Sequence, residues 1–165
     1  MQKEQVSPRH HSLYLLPLIE NILKENNCTP QDINEIIVIN GPGSFTGVRL
    51  GVTVAKTLAY TLKIPIKPIT TIEAMIISDP HQEKRVMTIP DTKGVFFGIT
   101  EKGQLISEIE YLIVADFKSW LMKQKLPAST CSFNIEAIAQ ALRNETGVNP
   151  HTVKPIYIKM IEVLK

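Results

Sequence analysis

The chain of 165 residues has only two cysteines, Cys28 and Cys131, far apart and without CxxC spacing. That excludes a disulfide framework and a paired-cysteine zinc or redox motif, and free thiols in a reducing compartment are the expectation. No apolar run approaches 18 residues, so no membrane span is expected. The first twelve residues, MQKEQVSPRHHS, have no apolar core of the kind a secretory signal needs. Cytoplasmic residence is the resulting expectation. Net charge is only +2, too little to announce a nucleic-acid binder by itself. There are no internal repeats and no low-complexity tracts. What remains, 44% hydrophobic and 21% charged residues, is the composition of an ordinary globular protein of one domain or two small ones.

The stretch Ile36–Leu62 organises the rest. Ile36, Ile37, Val38 and Ile39 form a β-branched run that suits a buried strand. Gly41, Pro42 and Gly43 then break the chain, and Ser44 or Thr46 can cap a helix reaching Leu62. Gly41, Gly43, Ser44, Thr46 and Arg49 form a candidate anion-binding turn, because a helix N-terminus offers unpaired N–H groups and partial positive charge. Gly41 and Gly43 could equally be turn residues and nothing more. No lysine stands where a P-loop requires it after Gly47, and the third glycine comes one residue late for a dinucleotide fingerprint. Gly47, Gly51, Ala55 and Ala59 recur at four-residue spacing, which suggests close approach of another backbone. Each glycine costs about 1 kcal/mol relative to alanine in a helix interior, so something should compensate. The stripe could also pack inside its own domain.

Around this unit the pattern is α/β. A first helix is expected from Ser12 to Asn26, with Leu15, Leu16, Ile19, Ile22 and Leu23 on its apolar face. Met1–Val6 suggests an edge strand, and the adjacent His10 and His11 make a poor metal pair. Thr29–Asp32 is a capping box on a short helix. A second strand spans Ile64–Ile69, where Pro65 and Pro68 imply an open edge or bulge. Thr70–Glu73 caps a helix running to about Ile77. The polar segment Asp79–Lys84 divides the chain into halves at 83/84. Strands follow at Arg85–Ile89, Val95–Thr100 and Leu105–Val114, with a hairpin turn at Glu101–Gln104. Asp116 can cap a helix carrying Phe117, Trp120 and Leu121. A short strand at Thr130–Phe133 and a helix at Asn134–Glu145 complete the pattern.

Gly41-Pro-Gly-Ser-Phe-Thr-Gly-Val-Arg-Leu-Gly51, followed by Ala55-Lys56 and Leu62-Lys63-Ile64-Pro65, resembles the signature of the TsaB (YeaZ) family. His11-Ser12 and the closing Pro155-Ile156-Tyr157-Ile158-Lys159 are similar to further family segments. The resemblance implies the actin-like, Hsp70-type ATPase fold built from ribonuclease-H-like domains. It implies a non-catalytic partner in making threonylcarbamoyladenosine in tRNA, docked on the catalytic paralogue TsaD and working with the ATPase TsaE. ATP and divalent metal would belong to those partners, and tRNA would be touched only indirectly. The family's first β-hairpin has no counterpart here, so the N-terminal sheet is expected to lack it, or the start to lie upstream of Met1. Where the enzyme paralogue carries two metal-binding histidines, this chain has Thr71 and Met75, so no metal site and no transferase activity is expected. Asp91 and Lys93 resemble the family's Asp-Ala-Arg segment, but strand-end capping and a surface charge are the preferred reading of them.

The implied docking face is Gly47, Val48, Gly51, Val52, Ala55, Leu58 and Ala59. Two other readings stand beside it. One is a truncated family member that self-associates through the same face. The other is an ATP- or metal-dependent enzyme of the superfamily.

Overall fold

The computed structural model describes Lys3, residues 11–130 and residues 132–158. The edge strand expected over Met1–Val6, together with His10, Cys131 and Lys159, lies outside that range apart from Lys3. Helix α1 spans His11–Glu25 and carries Pro17. After it, Pro30–Asp32 forms one 3-10 turn closed by the expected box: Asp32 accepts from the Thr29 N–H at 2.8 Å and from its hydroxyl at 2.7 Å. These two bonds hold the Asp32 carboxyl below its ordinary range, the backbone bond contributing most.

Strand β1 (Ile36–Ile39), helix α2 (Phe45–Leu62), strand β2 (Ile66–Ile69) and helix α3 (Thr71–Ser78) follow as the hydrophobic pattern requires. The strands pair in parallel, Ile36 opposite Ile66 and Val38 opposite Pro68, with α2 as the crossover. Among the described residues this first sheet has two strands. Pro65 falls just before this strand, and Pro68 within it is tolerated because, among the described residues, the outer edge carries a single bridge, Ile66 to Val148. Helix α2 stops at Lys63, which takes the left-handed conformation at φ 56°.

The second sheet is built on β3 (Arg85–Pro90) and β4 (Gly94–Glu101), antiparallel, with Lys102 and Gly103 at positive φ in the tight turn to β5 (Gln104–Leu105). The single strand expected over Leu105–Val114 is in fact two, β5 and β6 (Glu110–Ile113), both on β4. Between them the Ser107 hydroxyl accepts from the Ile99 N–H at 2.8 Å, so a side chain replaces a backbone partner and the ladder is interrupted. Helix α4 (Val114–Gln124) is preceded by Ile113 at its cap position, and Asp116 lies within its first turn, not at the cap. Strand β7 is Ala128–Ser129, earlier than the Thr130–Phe133 expected, and pairs in parallel with β3. Helix α5 (Ile135–Ala141) begins at the Asn134 cap and ends four residues before Glu145. Just past its end, the Lys67 ammonium donates to the Leu142 and Arg143 carbonyls at 2.8 and 3.3 Å.

The core does not divide cleanly at 83/84. Ile72 and Met75 of α3 pack with Met87 of β3. Ile69 and Ala74 pack with Ile138 of α5. Val153 is buried with Val38, Val52, Ala55, Ala59 and Ile66 of the first half. Residues 134–158 thus return to the first half, leaving residues 85–130 as the second unit around Val86, Phe97 and Phe117. Apolar pattern marks where a segment buries its face, but not which sheet it buries it against.

Candidate partner surface, glycine turn and cleft

Helix α2 is held from two sides. Its inner side, Val52, Ala55 and Ala59, is 2%, 7% and 0% exposed. Along another side runs residues 149–158, a strap. At the C-terminal end of α2, the Tyr60 and His151 rings meet edge to face at 5.0 Å. Midway, the Lys56 ammonium donates to the Val153 carbonyl at 2.8 Å and the His151 carbonyl at 3.3 Å. At the N-terminal end, the Arg49 Nε donates to the Tyr157 hydroxyl at 2.7 Å and its guanidinium lies 3.9 Å over the Phe45 ring.

The small-residue stripe is therefore not one face. Residues four apart advance about 400° around a helix, about 40° past a full turn. From Gly47 to Ala59 the stripe winds about 120°, from the open side into the core. Gly51 would have nothing within 4 Å of an added Cβ, whereas Ala55 and Ala59 are sealed inside the subunit. Of the seven expected docking residues, Val52, Ala55 and Ala59 are corrected to core, because no partner reaches them without opening the chain's own interior. Gly47, Gly51 and Leu58 stay partly exposed, and half-buried Val48 packs against the core cluster.

Helix α1 supplies what the stripe alone lacks. Leu13, Leu16 and Tyr14 are 65%, 48% and 43% exposed, and no α1 residue joins a core cluster among the described residues. Leu16, expected on the inward face, is on the outside.

In the turn, Ser44 and not Thr46 caps α2, accepting from the Gly47 N–H at 3.3 Å. Gly41 sits at φ 110°, and a Cβ there would meet the Ile156 carbonyl oxygen at 2.9 Å. The Thr71 N–H and hydroxyl donate to the Gly41 and Pro42 carbonyls at 2.9 and 2.6 Å. A carbonyl oxygen beside Gly41 repels an anion, and Arg49 is turned to Tyr157. The Gly41 and Pro42 carbonyls and the Arg49 Nε are spent on joining the turn and the head of α2 to α3 and the strap, while Thr46 is exposed.

A cleft of ≈ 340 Å³ opens at the carboxyl ends of β1 and β2, between α2 and β3. Its walls include Ile39, Val48, Ile89 and Phe133, with Thr71 and Met75 on the α3 side and no charged side chain. Thr71 is buried with its hydroxyl committed, and Met75 is 2% exposed beside Ile72 and Met87. A hydroxyl and a thioether do not make a site for a hard or borderline cation. No group of three or more His, Cys, Asp or Glu comes together among the described residues. No described helix is long and apolar enough to cross a membrane.

The sequence model of the TsaD family, described as tRNA N6-adenosine threonylcarbamoyltransferase, matches residues 4–92, more than half of the chain. A Bacillus subtilis relative, "tRNA threonylcarbamoyladenosine biosynthesis protein TsaB", is 33% identical over 125 residues, 72% of this chain and 55% of the relative. The Haemophilus influenzae protein of the same description is 32% identical over 162 residues, 96% of this chain and 65% of the relative. The chain thus spans between half and two thirds of the length of these two relatives. Two solved structures from Pseudomonas aeruginosa share the fold. A protein similar to peptidase YEAZ has TM-score 0.73 at 20% identity, covering 94% of this chain and 87% of that one. YeaZ has TM-score 0.71 at 17% identity, covering 94% and 89%. These place the α/β architecture in the actin-like, ribonuclease-H-like class. With the glycine signature in place at the head of α2, the sequence relatives and the fold agree: the chain belongs to the TsaB (YeaZ) family.

Proposed function

We propose that this chain is a non-catalytic docking subunit in the synthesis of threonylcarbamoyladenosine in tRNA. Its partner on this reading is the catalytic threonylcarbamoyltransferase relative, TsaD, with the ATPase TsaE joining the assembly in the cytoplasm. The observation that carries the reading is the exposure of apolar residues on α1: Leu13 and Leu16, about 60° apart around the helix, stand in solvent, as does Tyr14, while Gly51 on α2 has open space where a side chain would stand. Burying a leucine is worth about 1.5–3 kcal/mol, so α1 leaves a large driving force unspent within the subunit. The neutral cleft favours docking over catalysis, since neither a triphosphate nor a metal finds a charged partner on its walls. ATP and the divalent ion are then the partners' own.

The test is co-purification with the catalytic relative. Leu16→Glu and Gly51→Leu should each weaken association at least tenfold while circular dichroism and melting show an intact fold. Recovery of the complex at wild-type yield by both variants refutes the docking face. Calorimetric titration with ATP and divalent ions addresses the enzymatic alternative, which tight binding by the chain alone would restore. Sedimentation of the chain alone reads whether the same face joins two copies.

A further inference from the structure

The side of α2 turned away from Gly51 has a different character. Arg49, Lys56 and Tyr60 fall within about 40° of one another around the helix, and Gly51 and Leu58 lie about 180° away. From Ile36 to Ile72 the sequence has no aspartate or glutamate, and from Thr146 to Ile158 it has none either. The two elements that build this seam, α2 and the strap, therefore present basic groups without local acidic neighbours in sequence. Lys154, on the strap between the two aromatic clusters, is exposed. At one end Phe45 and Tyr157 are 47% and 50% exposed, ring centroids 5.5 Å apart, with Arg49 against both rings. At the other end Tyr60 is 63% exposed beside His151. Phe45 and Tyr60 are about 22 Å apart by helical rise.

We infer that this seam is a track for single-stranded RNA. A ribose-phosphate strand is the anionic chain that also carries flat faces at regular spacing, so it meets both halves of the pattern: charge from Arg49 and Lys154, stacking from Phe45, Tyr157 and Tyr60. An acidic peptide would use the charge but not the ring faces. A duplex keeps its bases stacked on each other and offers the rings nothing. The rings are already fixed where a base would land, Tyr157 by Arg49 and Tyr60 by His151, so little ordering entropy opposes binding. The seam lies on the opposite side of α2 from the docking face, so a strand and a protein partner can be held together.

The experiment is fluorescence anisotropy of a labelled single-stranded RNA of about twelve nucleotides, and of its duplex, with the full chain at low salt. The single strand should bind and the duplex should bind markedly less. Tyr60→Ala and Phe45→Ala should each weaken binding about tenfold. Lys154→Glu should weaken it as well, and Arg49→Ala should flatten the log–log salt dependence by about 0.7. Met122→Ala, at a 77% exposed position on α4, should change nothing. Tyr60 and Lys154 are exposed, so their variants fold and keep the test decisive even where Phe45→Ala does not. Absence of binding at about 50 mM salt, or unchanged affinity in Tyr60→Ala and Lys154→Glu, overturns the inference. So does loss of co-purification with the catalytic relative in these variants while RNA affinity stays at the wild-type level, which would make the seam a protein interface. RNA binding is read on the chain alone, so its outcome is separate from that of the docking test.

Discussion

Two substitutions eight residues apart on helix α2 should move stability in opposite directions. Gly51 is helical and half-buried, with open space where a Cβ would stand. Gly51→Ala therefore gains the helix-propensity difference of about 1 kcal/mol with no steric offset. For a chain of this size that raises the melting temperature by about 2–4 °C. Ala59 is 0% exposed, in contact with the cluster of Val38, Val52, Ile66 and Val153. Ala59→Leu forces three more carbons into filled space, at a cost of about 1–3 kcal/mol. The melting temperature should fall by roughly 2–12 °C on the same scale. Thermal and urea unfolding of the three proteins under one buffer condition measure both shifts. If Gly51→Ala lowers stability, or Ala59→Leu leaves it unchanged, the division of the stripe into an open end and a sealed end is wrong. Ala55→Trp belongs with Ala59→Leu: at 7% exposure it should disrupt folding before it reports on any partner.

Lys67 is 6% exposed and its ammonium joins the Glu35 carboxylate at 2.5 Å to the Leu142 and Arg143 carbonyls. Lys67→Ala removes the donor from all three and should destabilise the fold by about 1–3 kcal/mol, with hydrogen exchange rising first around α5. Asp32 gives a pH signature: its folded-state pKa is lowered by the Thr29 bonds. Its contribution is therefore present above the unfolded value of 3.8 and is lost as pH falls through the lower folded value. Asp32→Asn should lower stability at neutral pH and shrink the loss on acidification, measured by urea unfolding at pH 7 and near pH 3; an unchanged acid slope would contradict the box.

Much of the local structure was legible in residues alone because its causes are local. The β-branched run 36–39, the break at Gly41–Gly43, the Thr29 and Thr70 boxes and the Lys102–Gly103 turn each depend on interactions within a few residues. Errors came where a distant group intervened. Ser107 split an expected strand by bonding Ile99, and Lys67 holds the chain just past α5 by bonding the Leu142 and Arg143 carbonyls. Beside the family-like segment from Pro155, the strap left a trace in the absence of acidic residues from Ile36–Ile72 and Thr146–Ile158, which marks a shared cationic side only once the two are seen side by side.

By itself the sequence determined the α/β class, the strand–turn–helix unit and the family signature within it, since periodicity, capping and glycine placement act at short range. Which side of α2 is free was decided only by the tertiary structure. Four-residue spacing precesses around a 3.6-residue helix, so a stripe that is continuous in sequence ends on a different side from where it began. Only the strands and the strap packed against α2 show which part of it remained open.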